Sequence, residues 1–273
     1  MNALQASVII AFYNNMKYLE LVLAGFTRQS ETRFQIIIAD DGSGKDVVER
    51  INNISAGFPF SLKHLWHEDK GWRKNIILNK SIVGSDTDYL IFCDADCIPH
   101  RHFIREHLRN RSRNIILSGR RVNLSESISQ KLNTGLVAEG YLEKNIVRWL
   151  VMGMKGEFTH AEKGLYLPWL TRYLTKKNKG LLGCNFSICK EDLLSLNGFD
   201  ERYLAPAVGE DTDLEYRAGR AGMKIKSVRN LAIQYHLYHP KLSRESDNMS
   251  IFEDTKAKGY QRTPFGILKE NAL

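Results

Sequence analysis

Residues 89–97 read YLIFCDADC, an apolar run that ends in two aspartates separated by one alanine. Two earlier runs are also apolar and β-branched and also end in polar side chains: SVIIAF at Ser7–Phe12 and QIIIA at Gln35–Ala39. Short runs of this kind predict strands that are buried on both faces, as in a parallel sheet. The three runs therefore place the centre of the fold in the first hundred residues.

Helical patterns separate these strands, at Met16–Gln29, Asp46–Ile54 and Lys74–Val83. Regular alternation of strand and helix predicts an α/β fold with right-handed crossovers. We expect a Rossmann-like, mostly parallel central sheet flanked by helices. From Glu126 to Lys179 the alternation stops and aromatic, aliphatic and basic residues mix, which predicts a helical insert.

The chain length of 273 residues favours one large domain. We expect a ligand-binding half at residues 1–124, a second half at residues 125–240 and a polar, peripheral C-terminal tail at residues 241–273. After the insert, strand-like or helical patterns return at Asn185–Ile188, Lys190–Leu196, Lys224–Val228 and Ala232–Tyr238.

Composition excludes several classes of protein. Apolar residues make up 43% and charged residues 26%, values typical of a folded globular chain and not of a disordered or fibrous one. The net charge of +8 suggests anionic partners, but no motif that reads nucleic acid is present. The four cysteines lack zinc-site spacing, and no leader or membrane span is recognisable, so we expect reduced thiols in a cytoplasmic protein.

Polar residues follow each predicted central strand: Tyr13-Asn14 after the first, Asp40-Asp41 after the second, and Asp94-Ala95-Asp96 after the third. In open α/β sheets, ligands bind beyond the carboxyl ends of the strands, so a site is expected at this edge. Asp and Asn are also common as helix caps and turn residues, which would account for one such cluster more easily than for three.

Asp94 and Asp96 point to the same side of an extended chain, because side chains alternate along a strand. Two carboxylates at one spot can hold Mg²⁺ or Mn²⁺ and leave coordination positions for a diphosphate. A basic helix start at Lys70 and Arg73, in HEDKGWRKN, offers donors for phosphate oxygens. The alternative is a solvent-facing basic helix end.

Five motifs resemble, in order and spacing, the family-2 glycosyltransferases of the GT-A fold: VIIAFYNN, IADDGS, HEDKGWRKNIILNKS, FCDADC and GEDTDLEYRAGRAG. The segment GCNFSICKEDLLSLNGFDERY, followed by AVGEDTD, is similar to the C-terminal region shared with galactosyltransferases and with bacterial chondroitin- and hyaluronan-type synthases. The resemblance covers Ser7 to His239 and implies a GT-A fold and transfer of a sugar from a nucleotide.

The resemblance also implies roles for individual residues on the donor side. Asp40 would accept a hydrogen bond from uracil, with Tyr13 and Asn14 lining the nucleotide pocket. Ala11 stands where the family usually has proline. The implied nucleotide-sugar-binding set is Ala11, Tyr13, Asn14, Asp40, Lys70, Arg73, Asp94 and Ala95.

The metal and the catalytic base follow from the same resemblance. Asp94, Asp96 and a late histidine, with His236 preferred over His239, would hold the metal, and imidazole favours Mn²⁺ over Mg²⁺. Asp211, in Gly209-Glu210-Asp211-Thr212-Asp213, would be the base that takes the proton of the acceptor hydroxyl.

The acceptor side is less defined by the sequence. Asn185 and Glu210 resemble the framework of the family around the acceptor. The basic aromatic insert, with Trp149, Tyr166, Trp169 and Tyr173 among Lys155, Arg172, Lys176 and Lys177, fits two roles. It is either a peripheral contact with an anionic membrane or a lid over the acceptor cleft.

Together these features predict an inverting, metal-dependent hexosyltransferase that moves one sugar from a UDP-sugar to a glycan or lipid-linked glycan. The expected setting is bacterial surface-polysaccharide or lipopolysaccharide synthesis, in the cytoplasm or peripherally on the inner membrane. Single addition is favoured because Glu215–Arg220 lacks the tryptophan of the processive QxxRW motif. Alternatives are a non-catalytic sugar-nucleotide-binding module and a sugar-1-phosphate nucleotidyltransferase.

Overall fold

The three apolar runs form neighbouring central strands in the computed structural model, which describes residues 3–153, 158–170, 180–206, 209–240 and 247–269. The large sheet contains β1 (Ala6–Phe12), β2 (Phe34–Asp40), β3 (Ser61–Trp66), β4 (Tyr89–Asp94), β6 (Ile115–Ser118), β9 (Asn185–Cys189) and β10 (Lys224–Ser227). Their order across the sheet is β3-β2-β1-β4-β9-β6-β10, and β9 alone runs antiparallel to both of its neighbours. The carboxyl ends of β1, β2 and β4 therefore meet at one edge.

A smaller sheet brings distant parts of the chain to that edge. It consists of β5 (Cys97–Pro99), β7 (Arg120–Leu124), β8 (Phe158–Thr159) and β11 (Ile233–His236), in the order β5-β11-β7-β8. Antiparallel pairing of β11 with β5 sets His236 opposite Cys97, directly after the Asp94-Ala95-Asp96 segment. The late histidines are placed beside the early aspartates by this pairing.

Helices cover both faces of the large sheet, and the alternation of side chains along the strands explains why. Val8 and Ile10 on β1 pack into one apolar cluster, which includes α1 (Met16–Phe26), whereas Ile9 packs into a second cluster with α3 (Lys74–Val83). The other helices of this part of the chain are α2 (Lys45–Ser55) and α4 (Phe103–Asn110). Burial on both faces is the reason that the β1 sequence is continuously apolar.

The helical insert is present in the described part of residues 126–179. It contains the short helices α5 (Glu126–Lys131), α6 (Thr134–Ala138), α7 (Tyr141–Lys144) and α8 (Ile146–Gly153), followed by a 3-10 turn at Ala161–Gly164. Trp149 is buried in the core, whereas Trp169 is 71% exposed. The expected basic positions Lys155, Arg172, Lys176 and Lys177, together with Tyr173, lie outside the described residues.

The described part of the C-terminal segment packs against the body of the protein. Beyond α9 (Lys190–Ser195) and α10 (Glu210–Arg220), helix α11 (Asn248–Lys258) is tied down by an ion pair between Arg202 and Asp254. Asn197 donates hydrogen bonds to Thr263 O and Leu268 O. Thr263 is fully buried.

Candidate active site

A cavity of about 510 Å³ opens at the carboxyl edge of β1, β2 and β4. Its walls come from the segments that follow these strands, from the turn before α3 and from the end of the small sheet. The residues that line it include Ala11, Tyr13, Asp41, Asp69, Gly71, Trp72, Lys74, Asp94, Ala95, Asp96 and His239. The structure therefore gathers most of the sequence motifs at the predicted edge.

Asp96, His236 and His239 form a candidate metal centre. The Nε2 atoms of His236 and His239 lie 3.5 and 3.2 Å from Asp96 Oδ2, and the three potential ligand atoms lie within 4.8 Å of one another. A hydrogen bond from Leu237 N to Asp96 O, 2.8 Å long, holds the two chain segments together. Two imidazoles and one carboxylate suit a divalent transition metal such as Mn²⁺ better than Mg²⁺. The structure thus brings both late histidines to Asp96.

Ionisation acts in two directions at this centre: Asp96 is held in the form that binds a cation, whereas His239 is shifted toward the protonated form, whose proton a metal must displace. Burial opposes the charge of Asp96, but hydrogen bonds from His236 and His239 outweigh it and hold the pKa of Asp96 well below its usual range. The hydrogen bond to Asp96 in turn raises the pKa of His239. A carboxylate that is ionised at neutral pH is the form that binds a cation.

Asp94, the other predicted metal ligand, is bound to a lysine that sequence analysis did not single out. Lys74 Nζ lies 3.1 Å from Asp94 Oδ1 and 2.6 Å from Glu210 Oε1. Burial opposes the charge of Lys74, but the two carboxylates raise its pKa well above the usual value. Lys74 thereby joins the end of β4 to the start of α10. The available signal was its place at a helix start, where the helix dipole disfavours cations.

Asp211 lies in the first turn of α10, beside Glu210. Its Oδ2 accepts a hydrogen bond from Gly183 N at 3.2 Å, and its Oδ1 accepts one from Thr212 N at 2.7 Å. Burial, followed by repulsion from the Glu210 carboxylate, raises the pKa of Asp211. For Glu210 itself, Lys74 outweighs the effect of burial and lowers the pKa. Burial and Glu210 thus shift Asp211 toward a stronger base, whereas Lys74 holds Glu210 in its ionised form.

The two aspartates that follow β2 have different environments. Asp40 is fully buried; it accepts a hydrogen bond from Ser43 N at 2.8 Å and contacts His64 Nε2 at 2.8 Å. Asp41 lines the cavity instead; its two oxygens contact His67 Nε2 at 2.7 Å and Arg73 N at 2.9 Å. Each carboxylate oxygen can accept a second hydrogen bond. The geometry thus presents Asp41 to a ligand, whereas the sequence prediction chose Asp40.

Of the remaining predicted donor-side residues, some line the cavity and one holds a loop beside it. Tyr13 lines the cavity and its hydroxyl donates to Asp69 Oδ2 at 2.9 Å. Asn14, with a positive φ of 53°, braces the neighbouring loop through hydrogen bonds with Ser43 and Gly44. Ala11 and Ala95 line the cavity and are joined by a hydrogen bond from Ala95 N to Ala11 O.

Lys70 and Arg73, which the sequence predicts to bind phosphate, contact other groups in the structure. Lys70 is exposed and forms an ion pair with Glu68 at 3.1 Å. Arg73 donates a side-chain hydrogen bond to Glu68 O, and its Nε atom is buried without a partner among the described residues. Neither side chain lines the cavity in this conformation. In this conformation Lys74 is the cation that lies on the cavity wall.

Asn185 is a fully buried node between the two sheets. Its amide nitrogen donates to Arg120 O at 3.1 Å and to Ala232 O at 3.0 Å, and its oxygen lies 3.2 Å from His107 Nε2. The backbone at Gly119 leaves no space for a side chain there, since a Cβ atom would lie 2.1 Å from Asn185 Oδ1. Asn185 thus holds the framework behind the cavity and is not exposed to an acceptor.

A sequence profile described as glycosyl transferase family 2 matches residues 7–150, more than half of the chain. The chain belongs to glycosyl transferase family 2. A second profile, described as the N-terminal domain of galactosyltransferase, matches residues 173–240, the segment that carries Asp211, His236 and His239. Both parts of the predicted resemblance are confirmed.

Curated relatives of this family-2 glycosyltransferase include chondroitin synthase of Escherichia coli, 23% identical over 98% of this chain and 40% of the relative. An uncharacterized glycosyltransferase of Bacillus subtilis, YfnE, is 22% identical over 90% of this chain and 68% of its own length. Chondroitin synthase of Pasteurella multocida is 23% identical over 88% of this chain. The chain spans 40% and 25% of the two synthases.

Solved structures confirm the fold. A mannosyltransferase from Pyrobaculum calidifontis, determined with GDP-mannose and Mn²⁺, has a TM-score of 0.56 at 15% identity and covers 89% of this chain and 59% of its own. GalNAc-T7, determined with UDP, GalNAc and Mn²⁺, has a TM-score of 0.56 at 14% identity, over 93% of this chain and 48% of its own. Staphylococcus aureus TarS gives 0.54 at 14% identity, over 87% of this chain and 37% of its own. The predicted GT-A fold is confirmed.

Across the described ranges, helices that are both long enough and apolar enough to cross a bilayer are absent.

Proposed function

We propose that this family-2 glycosyltransferase is an inverting, metal-dependent enzyme that transfers one hexose from a UDP-sugar to a glycan or lipid-linked glycan. The observation that carries the proposal is the meeting of three groups at one edge of the sheet. These are the Asp96-His236-His239 cluster, the cavity lined by Asp41, and the first turn of α10 with Asp211. Two of the similar solved structures contain Mn²⁺, which supports the use of a divalent metal.

On the donor side, Asp96, His236 and His239 would hold Mn²⁺, which would offset the charge of the leaving diphosphate. Asp41 and Tyr13 would recognise the nucleotide in the cavity beyond β2. A carboxylate oxygen can accept the imide N–H of uracil, a donor that cytosine lacks. We place this role on Asp41 because Asp40 is fully buried and bound to His64 and Ser43.

On the acceptor side, Asp211 would remove the proton of the attacking hydroxyl as the new bond to the anomeric carbon forms. Attack from the face opposite the diphosphate inverts that carbon. The raised pKa of Asp211, caused by burial and by Glu210, brings the carboxylate closer to the operating pH and makes it a better base. Lys74 keeps Glu210 ionised and fixed beside it.

The proposed setting is bacterial surface-polysaccharide synthesis, in the cytoplasm with a peripheral contact at the inner membrane. Its support is the likeness to bacterial chondroitin synthases and the exposed apolar side chains of the insert, where Val147 and Trp169 are each 71% exposed. Apolar and basic residues on one exposed element are typical of a contact with anionic lipid.

The proposal is tested by donor hydrolysis and binding across UDP- and GDP-sugars, with Mn²⁺, with Mg²⁺ and with chelator. We expect a UDP-sugar to be consumed with Mn²⁺ and hydrolysis to stop with chelator. Asp96→Ala should lose metal-dependent UDP binding, whereas Asp211→Asn should keep UDP binding and lose transfer by a factor of about 10² to 10⁴. Consumption of GDP-sugars alone would refute the assigned donor, and equal metal-dependent UDP binding by the two variants would refute the assigned roles.

A further inference from the structure

Arg121, on β7, is a guanidinium beside the candidate metal centre that forms no direct ion pair with a described carboxylate. In the described part of the chain its hydrogen bond goes from Nη1 to the thiol of Cys184, at 3.3 Å, and no carboxylate lies within ion-pair distance. The side chain is partly buried and keeps some exposure. Burial opposes the Arg121 charge, but the thiols of Cys184 and Cys97 and, from outside ion-pair distance, Asp94 outweigh it and raise the Arg121 pKa, so the guanidinium stays charged and keeps donors for an anion.

The position of Arg121 in the small sheet directs it toward the catalytic groups. Its strand runs parallel to β11, with Arg121 paired to Gln234 and Asn123 paired to His236. Residues two apart on a strand, and residues paired across neighbouring strands, lie on the same face of a sheet. Arg121 and Asn123 therefore lie on the same face of the small sheet as His236. The charge of Arg121 reaches His239, where it opposes the larger effect of the Asp96 hydrogen bond that raises the His239 pKa.

Two neighbouring acceptors on this face are also unsatisfied. Asn123 Oδ1 and Gln234 Oε1 are buried and have no hydrogen-bond partner among the described residues. Gln234 is fully buried, and its amide nitrogen donates to Cys93 Sγ at 3.1 Å. Buried polar atoms are nearly always hydrogen-bonded in native structures, so unpaired ones mark a place where a ligand or water completes the set. Unpaired acceptors next to a guanidinium that forms no direct ion pair match a molecule that carries hydroxyl groups and an acid.

The face formed by Arg121, Asn123 and Gln234 is separate from the donor cavity. None of the three residues lines the cavity that contains Asp41 and Tyr13. The face belongs instead to the small sheet, on the side of the metal cluster that carries His236. A ligand there would be the acceptor and not the nucleotide.

We propose that Arg121, with Asn123 beside it, binds the acidic group of an acceptor sugar, either a carboxylate or a phosphate. The proposal rests on the proposed glycosyltransferase function and adds the substrate class: an acidic glycan acceptor. A guanidinium donates two parallel hydrogen bonds to either oxyanion, which gives orientation as well as affinity. Asn123 would accept a hydrogen bond from a sugar hydroxyl next to that group.

The test is binding by titration calorimetry in the presence of UDP and Mn²⁺, which needs no turnover. Three probes are compared: a glucuronate-terminated oligosaccharide, a phosphorylated sugar of matched size and a neutral oligosaccharide. For the unmodified protein we expect an acidic probe to bind better than the neutral one. Arg121→Met should lower the affinity for that acidic probe tenfold to a hundredfold. The affinity for the neutral probe should change less than threefold. The probe that loses affinity identifies the acid.

Matched variants separate recognition from folding. Arg121→Lys keeps the charge without the planar fork and should recover part of the affinity. Arg111→Met removes an exposed arginine far from the site and should change nothing. Equal loss for acidic and neutral probes, or no loss at all, would overturn the proposal. Loss of UDP binding in Arg121→Met would instead assign Arg121 to the donor diphosphate and also overturn it.

The inference and the proposed function fail in different measurements. Absence of UDP-sugar hydrolysis by the unmodified protein counts against the proposed function. The calorimetric comparison of Arg121 variants reports on acidic-sugar binding whether or not hydrolysis is seen.

Discussion

Residues at the cavity edge either line the cavity or hold the segments that line it. Asp40 and Asp41, the two aspartates at the end of β2, show this difference most clearly. Both are carboxylates, one residue apart, yet one is fully buried and the other lines the cavity. Sequence analysis predicts that a carboxylate follows β2, because a polar side chain ends an apolar run. It cannot decide between neighbours, because the choice depends on contacts with His64 and His67, which come from a later strand and loop.

The Asp40 and Asp41 variants test this division. We expect Asp41→Asn to weaken UDP-sugar binding by about tenfold or more, because the amide replaces an acceptor oxygen in the cavity. Asp40→Asn should weaken UDP-sugar binding less than Asp41→Asn does. It should lower the melting temperature more, since it disrupts the buried contacts with His64 and Ser43 N. Calorimetry with UDP and thermal melts of both proteins give the comparison. The reverse ranking would return the nucleotide contact to Asp40.

Lys74 shows a second limit of reading one residue at a time. Its neighbour Arg73 is the conspicuous cation in the sequence, but the Lys74 ammonium is the one that reaches both Asp94 and Glu210. These two carboxylates are 116 positions apart in the chain, at Asp94 and Glu210. Only the docking of α10 against the end of β4 brings them to the same ammonium group. The local sequence pattern does not show that Asp94 and Glu210 lie close together in the folded protein.

Elements with a strong apolar signal are predicted well, and those that depend on distant pairing are not. The predicted run at Ser7–Phe12 is extended by one residue in β1, and the predicted helix at Lys74–Val83 coincides with α3. Strand β3 was missed because it is mostly half-exposed and polar. Strand β7 was missed because its sequence, RRVNL, has few apolar residues and is extended only by pairing with β8 and β11.

Strand β9 is the element that joins the two sheets, and Asn185 at its start makes the connection. We expect Asn185→Ala to lower the free energy of unfolding by about 2–4 kcal/mol, because it leaves Arg120 O and Ala232 O without donors in the interior. Denaturant unfolding measures the loss. Asn53→Ala, on the exposed face of α2, is the control and should change stability by less than about 0.5 kcal/mol. A small loss at Asn185 with impaired transfer would show contact with the acceptor instead.

At the scale of the whole molecule, two buried histidines make stability depend on pH. Burial lowers the pKa of His107 to about 3, and burial followed by the charge of His102 lowers that of His100 to about 3. In the unfolded chain a histidine titrates near 6.5, so below that pH the unfolded state binds more protons than the folded state. The free energy of unfolding must therefore fall as the pH falls from about 6.5 toward 3.

His107 is the better residue with which to measure this effect, because both of its ring nitrogens contact neutral groups, Ser187 Oγ at 2.7 Å and Asn185 Oδ1 at 3.2 Å. A single histidine of this kind makes the protein roughly 2 kcal/mol less stable at pH 5 than at pH 7. His107→Gln cannot take up a proton, so we expect its loss of stability over this range to be smaller than that of the unmodified protein by that amount. Denaturant unfolding at both pH values measures the difference, with His160→Asn, at an exposed position, as the control. An unchanged pH slope in His107→Gln would mean that the imidazole takes up a proton in the folded protein as readily as in the unfolded chain, which its burial away from carboxylates makes unfavourable.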